Sequence, residues 1–99
     1  MFKERSYYVY ILASQNNGTI YIGVTNNLIK RITQHKNKTI TNSFTDEYNI
    51  DKLVYYELFS NIGRALYREK QLKKWQRKWK MRLIEENNFY WRDLYETLF

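Results

Sequence analysis

The chain has 99 residues, 43% hydrophobic and 18% aromatic, enough for the core of one modest domain and too apolar for a disordered chain, so residues 1–99 are read as a single domain. Seventeen Lys and Arg against ten Asp and Glu leave a net charge of +7, which makes polyanions the first partners to weigh, nucleic acid ahead of an anionic membrane surface. With no cysteine and one histidine, disulfides, thiolate metal sites, cysteine nucleophiles and His-cluster zinc are excluded, and any metal must be held by oxygen.

The opening "MFKERSYYVYILAS" joins a basic start to a short apolar segment, but its period-2 tyrosines and the lack of a cleavage site argue against a signal peptide. No apolar run approaches the roughly 18 residues that span a bilayer, and a cytoplasmic protein is expected. Tyr7 to Leu12 reads as a strand with Tyr8, Tyr10 and Leu12 on one face and Tyr7, Val9 and Ile11 on the other, with Ile20 to Thr25 as its partner. The joint "SQNNGT" carries Asn and Gly, which tolerate the positive φ of tight hairpin turns. Any even loop puts Tyr10 on the same face as Tyr21 and Gly23. A turn at Asn17-Gly18 sets Tyr10 against Thr25, one at Asn16-Asn17 sets it against Gly23, and both registers remain open. Gly23 leaves a gap beside Tyr21 where a backbone or ligand can come close.

Asn26 or Asn27 caps a helix through about Lys36, with Leu28, Ile32 and His35 at helical spacing. Asn37 to Asp51 is polar and without period, a surface loop able to order on binding. Lys52 to Phe59 returns to strand character. Ser60 or Asn61 then opens a long helix to about Ile84, and "NNFYWRDLYETLF" closes the chain as a short helix packing Trp91, Leu94 and Leu98. The order predicts an α+β fold, a small three-stranded antiparallel sheet flanked by helices.

Two polar interruptions stand out. Between Ile62 and Ile84 nine residues are basic and the only acid is Glu69. On a helical wheel Glu69 falls within about 80° of Ile62, Ala65, Leu66, Leu72, Trp79 and Leu83, so it faces the body of the protein. An i,i+4 pair with Lys73, worth about 0.2–0.5 kcal/mol, is one reading and a functional carboxylate is the other. The uncompensated basic run, with Lys73, Lys74, Arg77 and Lys78 at its centre, suits phosphates. On the first helix Leu28, Arg31, Ile32 and His35 share a face, which aims a guanidinium and an imidazole where apolar groups belong; Arg suits a phosphate oxygen.

These residues resemble a known family. Tyr8-Val9-Tyr10 followed by Tyr21-Ile22-Gly23 is similar to the paired motif of the GIY-YIG nuclease domain in its small bacterial single-domain branch, and the resemblance runs on through "YIGVTNNLIKRITQHK", "FTDEYNIDKLVYYELF", "REKQLKKWQRKWK" and "LIEENNFYWRDLYE". It implies that Tyr10 and Tyr21 are active-site phenols, Arg31 the catalytic arginine, Glu69 the metal-binding carboxylate, and His35 and Asn88 further site residues. The first triplet lacks its glycine, Val24 stands where some members carry a lysine, and Phe89 replaces a proline. The implied activity is metal-dependent hydrolysis of DNA phosphodiesters, with RNA left open, using one Mg²⁺ or Mn²⁺ on Glu69 and no small-molecule cofactor. Tyr21 or Tyr10 would position or deprotonate the attacking water, with His35 as a proton relay and Arg31 holding the phosphorane charge. A phenol near pKa 10 is ionised to only about 0.1% at pH 7, a penalty of about 4 kcal/mol, so metal, Arg31 or the basic helix must depress it. The alternatives are a non-catalytic nucleic-acid-binding domain whose aromatics stack bases, and a protein-interaction module.

Overall fold

The computed structural model describes residues 6–38, 45 and 48–99. Strand β1 (Tyr7–Ala13) pairs antiparallel with β2 (Ile20–Thr25) and with β3 (Lys52–Phe59), so the sheet order is β2-β1-β3. The α+β prediction of a three-stranded antiparallel sheet flanked by helices is met. Tyr10 stands opposite Gly23, the register of the Asn16-Asn17 turn. That turn runs from Gln15 to Gly18, closed by Gly18 N–H donating to Gln15 O at 3.0 Å, and Asn17, not Gly18, takes the left-handed conformation, at φ 61°. Asn tolerates this region better than other residues with a Cβ.

Being central, β1 is buried on both sides. Its odd-numbered residues Val9, Ile11 and Ala13 join Ile22, Ala65, Leu72, Ile84 and Trp91 in one core. Its even-numbered Tyr10 and Leu12 join Leu28, Ile32, Ile50 and Leu53 in the other. Helix α1 (Leu28–Asn37), capped by the Asn27 side chain on Lys30 N, covers the even face. Helix α2 (Ile62–Lys74), capped by Asn61 on Arg64 N, and helix α3 (Arg77–Asn87) cover the odd face. Ile50 and Thr45 lie within the segment expected to be a polar surface loop, yet both are buried and Ile50 N–H donates to Thr45 O at 2.9 Å. The rest of that loop through residue 47, from 39 on and apart from 45, falls outside the described residues.

Three further expectations need correction. The single long helix is broken at Trp75 and Gln76, both near φ −60° and ψ 150°. Neither Pro nor Gly causes this. A straight helix would carry Ile84 about 100° around from Ala65, whereas the break turns it back into the odd-face core. The break is held by Lys80 Nζ on Lys73 O at 3.2 Å and by Arg77 Nη2 on the hairpin carbonyls of Asn17 at 3.1 Å and Gly18 at 2.6 Å. The apolar stripe expected across that helix is correspondingly wrong in part: Ala65 and Leu72 are buried, but Ile62, Leu66 and Trp79 are exposed. The closing short helix is present but is a five-residue 3-10 helix (Leu94–Leu98), and buried Trp91, at φ 55°, lies before it and not within it. Asp93 organises it, accepting from Leu53 N and Tyr95 N at 3.1 Å each and from Lys36 Nζ at 2.5 Å.

Candidate active site

The site grows from the even face where β1 and β2 meet α1. Because Gly23 has no side chain, the Tyr10 ring lies across it: a Cβ at Gly23 would fall 2.6 Å from Tyr10 Oη and 2.7 Å from Cζ. The gap expected at Gly23 is thus filled by the phenol of the opposite strand. Tyr21 stands beside it, ring centroids 6.3 Å apart, and His35 of α1 closes the triangle at 6.2 Å from Tyr10 and 5.7 Å from Tyr21. Tyr10 and His35 are buried, while Tyr21 and Arg31 are half-exposed. Arg31 lies one turn before His35 on α1.

Charge converges on the same point. Burial pushes the Tyr10 phenol well above the ordinary phenol range, Tyr21 and Glu69 add to that, and the Arg31 guanidinium pulls against them. Glu69 and Arg31, on helices covering opposite faces of the sheet, therefore both act on one hydroxyl. Glu69 is mostly enclosed, with 18% of its side chain exposed, and its carboxylate lies 3.3 Å from Lys73 Nζ. The i,i+4 pair is real, but Lys73 is 53% exposed, so the pair belongs to the weak, solvated class. Among the described residues no three His, Asp or Glu side chains gather into a metal cage. A single partly exposed carboxylate is nonetheless a fitting donor for a hard cation that keeps several waters and takes the rest of its oxygens from substrate.

Asn88 is held elsewhere. It is buried, its Nδ2 donates to Val54 O at 3.0 Å and Arg92 O at 2.8 Å, and its Oδ1 accepts from Arg92 N at 3.0 Å. Val54 is the extra residue where the β1–β3 register shifts, so Asn88 closes the carbonyl that a bulge leaves open. Lys73, Lys74, Arg77 and Lys78 are all exposed and flank the helix break, although Arg77 also clamps the hairpin. Sequence reasoning missed a second carboxylate, Glu57, gripped by Arg68 through two 2.9 Å bonds and by the Tyr55 hydroxyl. Burial pushes Glu57 up, but the Arg68 bonds, the Tyr55 bond and the Arg68 charge outweigh it and hold the carboxyl below its usual range. The available signal was parity: Tyr55 and Glu57 are two apart on one strand and share its odd face.

A family model described as the GIY-YIG catalytic domain matches residues 6–82. A UPF0213 protein of Syntrophus aciditrophicus is 36% identical over 80 residues, covering 81% of this chain and 91% of that protein. A UPF0213 protein of Clostridium perfringens is 41% identical over 81 residues, covering 82% and 85%. The solution structure of a UPF0213 protein from Bacillus halodurans superposes with a TM-score of 0.53 at 26% identity, over 84% of this chain and 86% of that one.

Proposed function

The chain belongs to the GIY-YIG catalytic-domain family, and from that premise we propose that it is a divalent-metal-dependent nuclease that hydrolyses phosphodiester bonds in DNA. The observation carrying this reading is the convergence on Tyr10: two further rings within 6.3 Å of it, and an arginine and a glutamate whose charges both reach its hydroxyl. In this reading Glu69 holds one Mg²⁺ or Mn²⁺, surrendering Lys73. When bound, the cation supplies Lewis-acid polarisation of a phosphate oxygen and stabilisation of the leaving oxygen.

The chain's own residues divide the remaining work. Arg31, half-exposed and always charged, takes the equatorial phosphate oxygens as negative charge builds there. Tyr10 is buried, and burial favours its neutral phenol, which makes it the poorer base of the two and suits it to positioning. The task of orienting the attacking water then falls to Tyr21, the more accessible phenol; in its ionised form it takes the water's proton and becomes neutral, with His35, packed against both rings, as the relay that carries the phenol proton away. Asn88 stands apart from this set and serves the fold, fastening the β3 bulge at Val54 to Arg92. Exposed Lys74 and Lys78 contribute phosphate contacts that set affinity.

Incubation with linear, nicked and branched DNA in Mg²⁺, Mn²⁺ or chelator tests the proposal. Metal-dependent cutting abolished by Tyr21→Phe, with binding intact, is the expected result. Salt-sensitive binding without any cutting would replace it with the non-catalytic nucleic-acid-binding reading, which the closed Glu69–Lys73 pair favours.

A further inference from the structure

The helix break builds a feature that the candidate active site does not use. Trp75, in extended conformation between α2 and α3, is half-buried and carries the Arg68 guanidinium over its ring at 5.1 Å. Trp79, one turn into α3, meets Trp75 edge-on with centroids 6.0 Å apart at 84°, and is 47% exposed. Between them opens a groove of about 240 Å³ lined by Trp75, Trp79, Arg82, Leu83 and Glu86. Trp79 thus leaves a large apolar ring half in solvent. Its surroundings point to an occupant: Lys78 and Arg82, exposed and one turn apart on α3, sit either side of Trp79 in sequence, with exposed Lys74 just before the break.

A flat aromatic face flanked by solvated cations matches a nucleotide with its base unstacked. The ring takes the base, and the cations take the phosphates on either side. A paired duplex offers its bases only edge-on and cannot fill such a slot. Glu86, the one acid in the groove, disfavours a phosphate there and accepts hydrogen bonds from the amino group of a base. We propose that the Trp75–Trp79 groove is a stacking site for an unpaired nucleobase, so that the nucleic acid this protein engages has single-stranded character beside the bond it presents. Trp75 directly follows the last residue of the helix that carries Glu69. The inference rests on the nucleic-acid part of the proposed function and is independent of catalysis.

The test is equilibrium binding in chelator, comparing a short single-stranded DNA of mixed sequence with its fully paired duplex, read by tryptophan fluorescence and by anisotropy of a labelled strand. The single strand should quench the exposed tryptophan and the duplex should not. Trp79→Ala should weaken single-strand binding by about 5- to 100-fold with little change for the duplex, while Trp79→Phe keeps most of the affinity. Equal loss for both substrates, no loss for either, or no quenching in the unaltered protein would overturn the proposal. Because no cleavage is measured, failure here leaves the nuclease reading standing, and a protein that binds single strands as expected but never cuts leaves the groove standing.

Discussion

Gly23→Ala is the smallest change that should disturb the candidate site. The added methyl would fall 2.6 Å from Tyr10 Oη, 2.7 Å from Cζ and 3.1 Å from Cε1, all well inside van der Waals contact. These atoms are the far end of a side chain, which elsewhere could swing aside. Here the ring is 2% exposed and packed among Leu12, Leu28, Ile32 and Leu53, so relief requires core rearrangement or a shift of β2. Overpacking of this kind costs about 1–3 kcal/mol, which for a domain of this size lowers the melting temperature by about 5–20 °C. Thermal unfolding followed by circular dichroism measures it. Adding Tyr10→Phe should recover only part of the loss, because the hydroxyl goes but the ring carbon at 2.7 Å remains. An unchanged melting temperature in Gly23→Ala would mean that the phenol does not cross Gly23, and the geometry of the site would have to be redrawn.

Glu69→Gln should lose divalent affinity and metal-dependent cleavage while stability moves by only about 0.5 kcal/mol, the worth of an exposed i,i+4 pair; calorimetric metal titration beside a cleavage assay reads both. Asn88→Ala leaves Val54 O, Arg92 O and Arg92 N without their partner and should destabilise by about 1–3 kcal/mol in denaturant titration, with kcat in the folded fraction close to normal. Folding raises the Tyr10 and Tyr55 phenols, each chiefly by burial, so their contribution to stability is complete below about pH 10 and falls as pH climbs beyond it; Tyr10→Phe should flatten that alkaline decline in melting temperature. Glu57 carries the opposite sign: its depressed carboxyl supports the fold above about pH 4.3, and that support is lost as the pH falls through its folded value.

Local signals reported local structure well. Asn27 and Asn61 cap the helices that follow them, Lys52–Phe59 forms the third strand, and the hairpin adopts one of two registers that differ only in which pair of residues turns. The shared face of Tyr10 and Tyr21 followed from period 2 and an even loop, whereas the choice of Gly23 over Thr25 as the partner of Tyr10 did not. The helix break did not follow, because nothing at Trp75 or Gln76 forbids a helix. It is selected by groups far away in sequence: the hairpin carbonyls that Arg77 reaches and the core position that Ile84 fills. Wheel geometry placed Glu69 on the partly enclosed side of α2 although Ile62 and Leu66 of the same stripe proved exposed; for Trp79 the wheel failed because it lies beyond the break. The direction of the Tyr10 shift was equally illegible, for it arises from burial by residues scattered from Leu12 to Leu53.

The two carboxylates that deal with α2 show why Glu69 is the available one. Glu57 accepts a fork of two 2.9 Å bonds from Arg68 and a third bond from the Tyr55 hydroxyl, and Arg68 is further fixed by Gln71 at 2.8 Å and by the Trp75 ring. Withdrawing Glu57 to bind a cation would strand a partly buried guanidinium, and breaking such a pair costs several kcal/mol. Glu69 pairs instead with the ammonium of an exposed lysine, Lys73, at 3.3 Å. Lys73 can turn into solvent and be hydrated there, at a cost of no more than about 1 kcal/mol. A divalent cation in competition for these two acids should therefore take Glu69 and leave Glu57 in place. Infrared difference spectra on metal addition should show one carboxylate band moving in the unaltered protein and in Glu57→Gln alike, and none in Glu69→Gln; a band that persists in Glu69→Gln would transfer the metal to Glu57 and remove this preference.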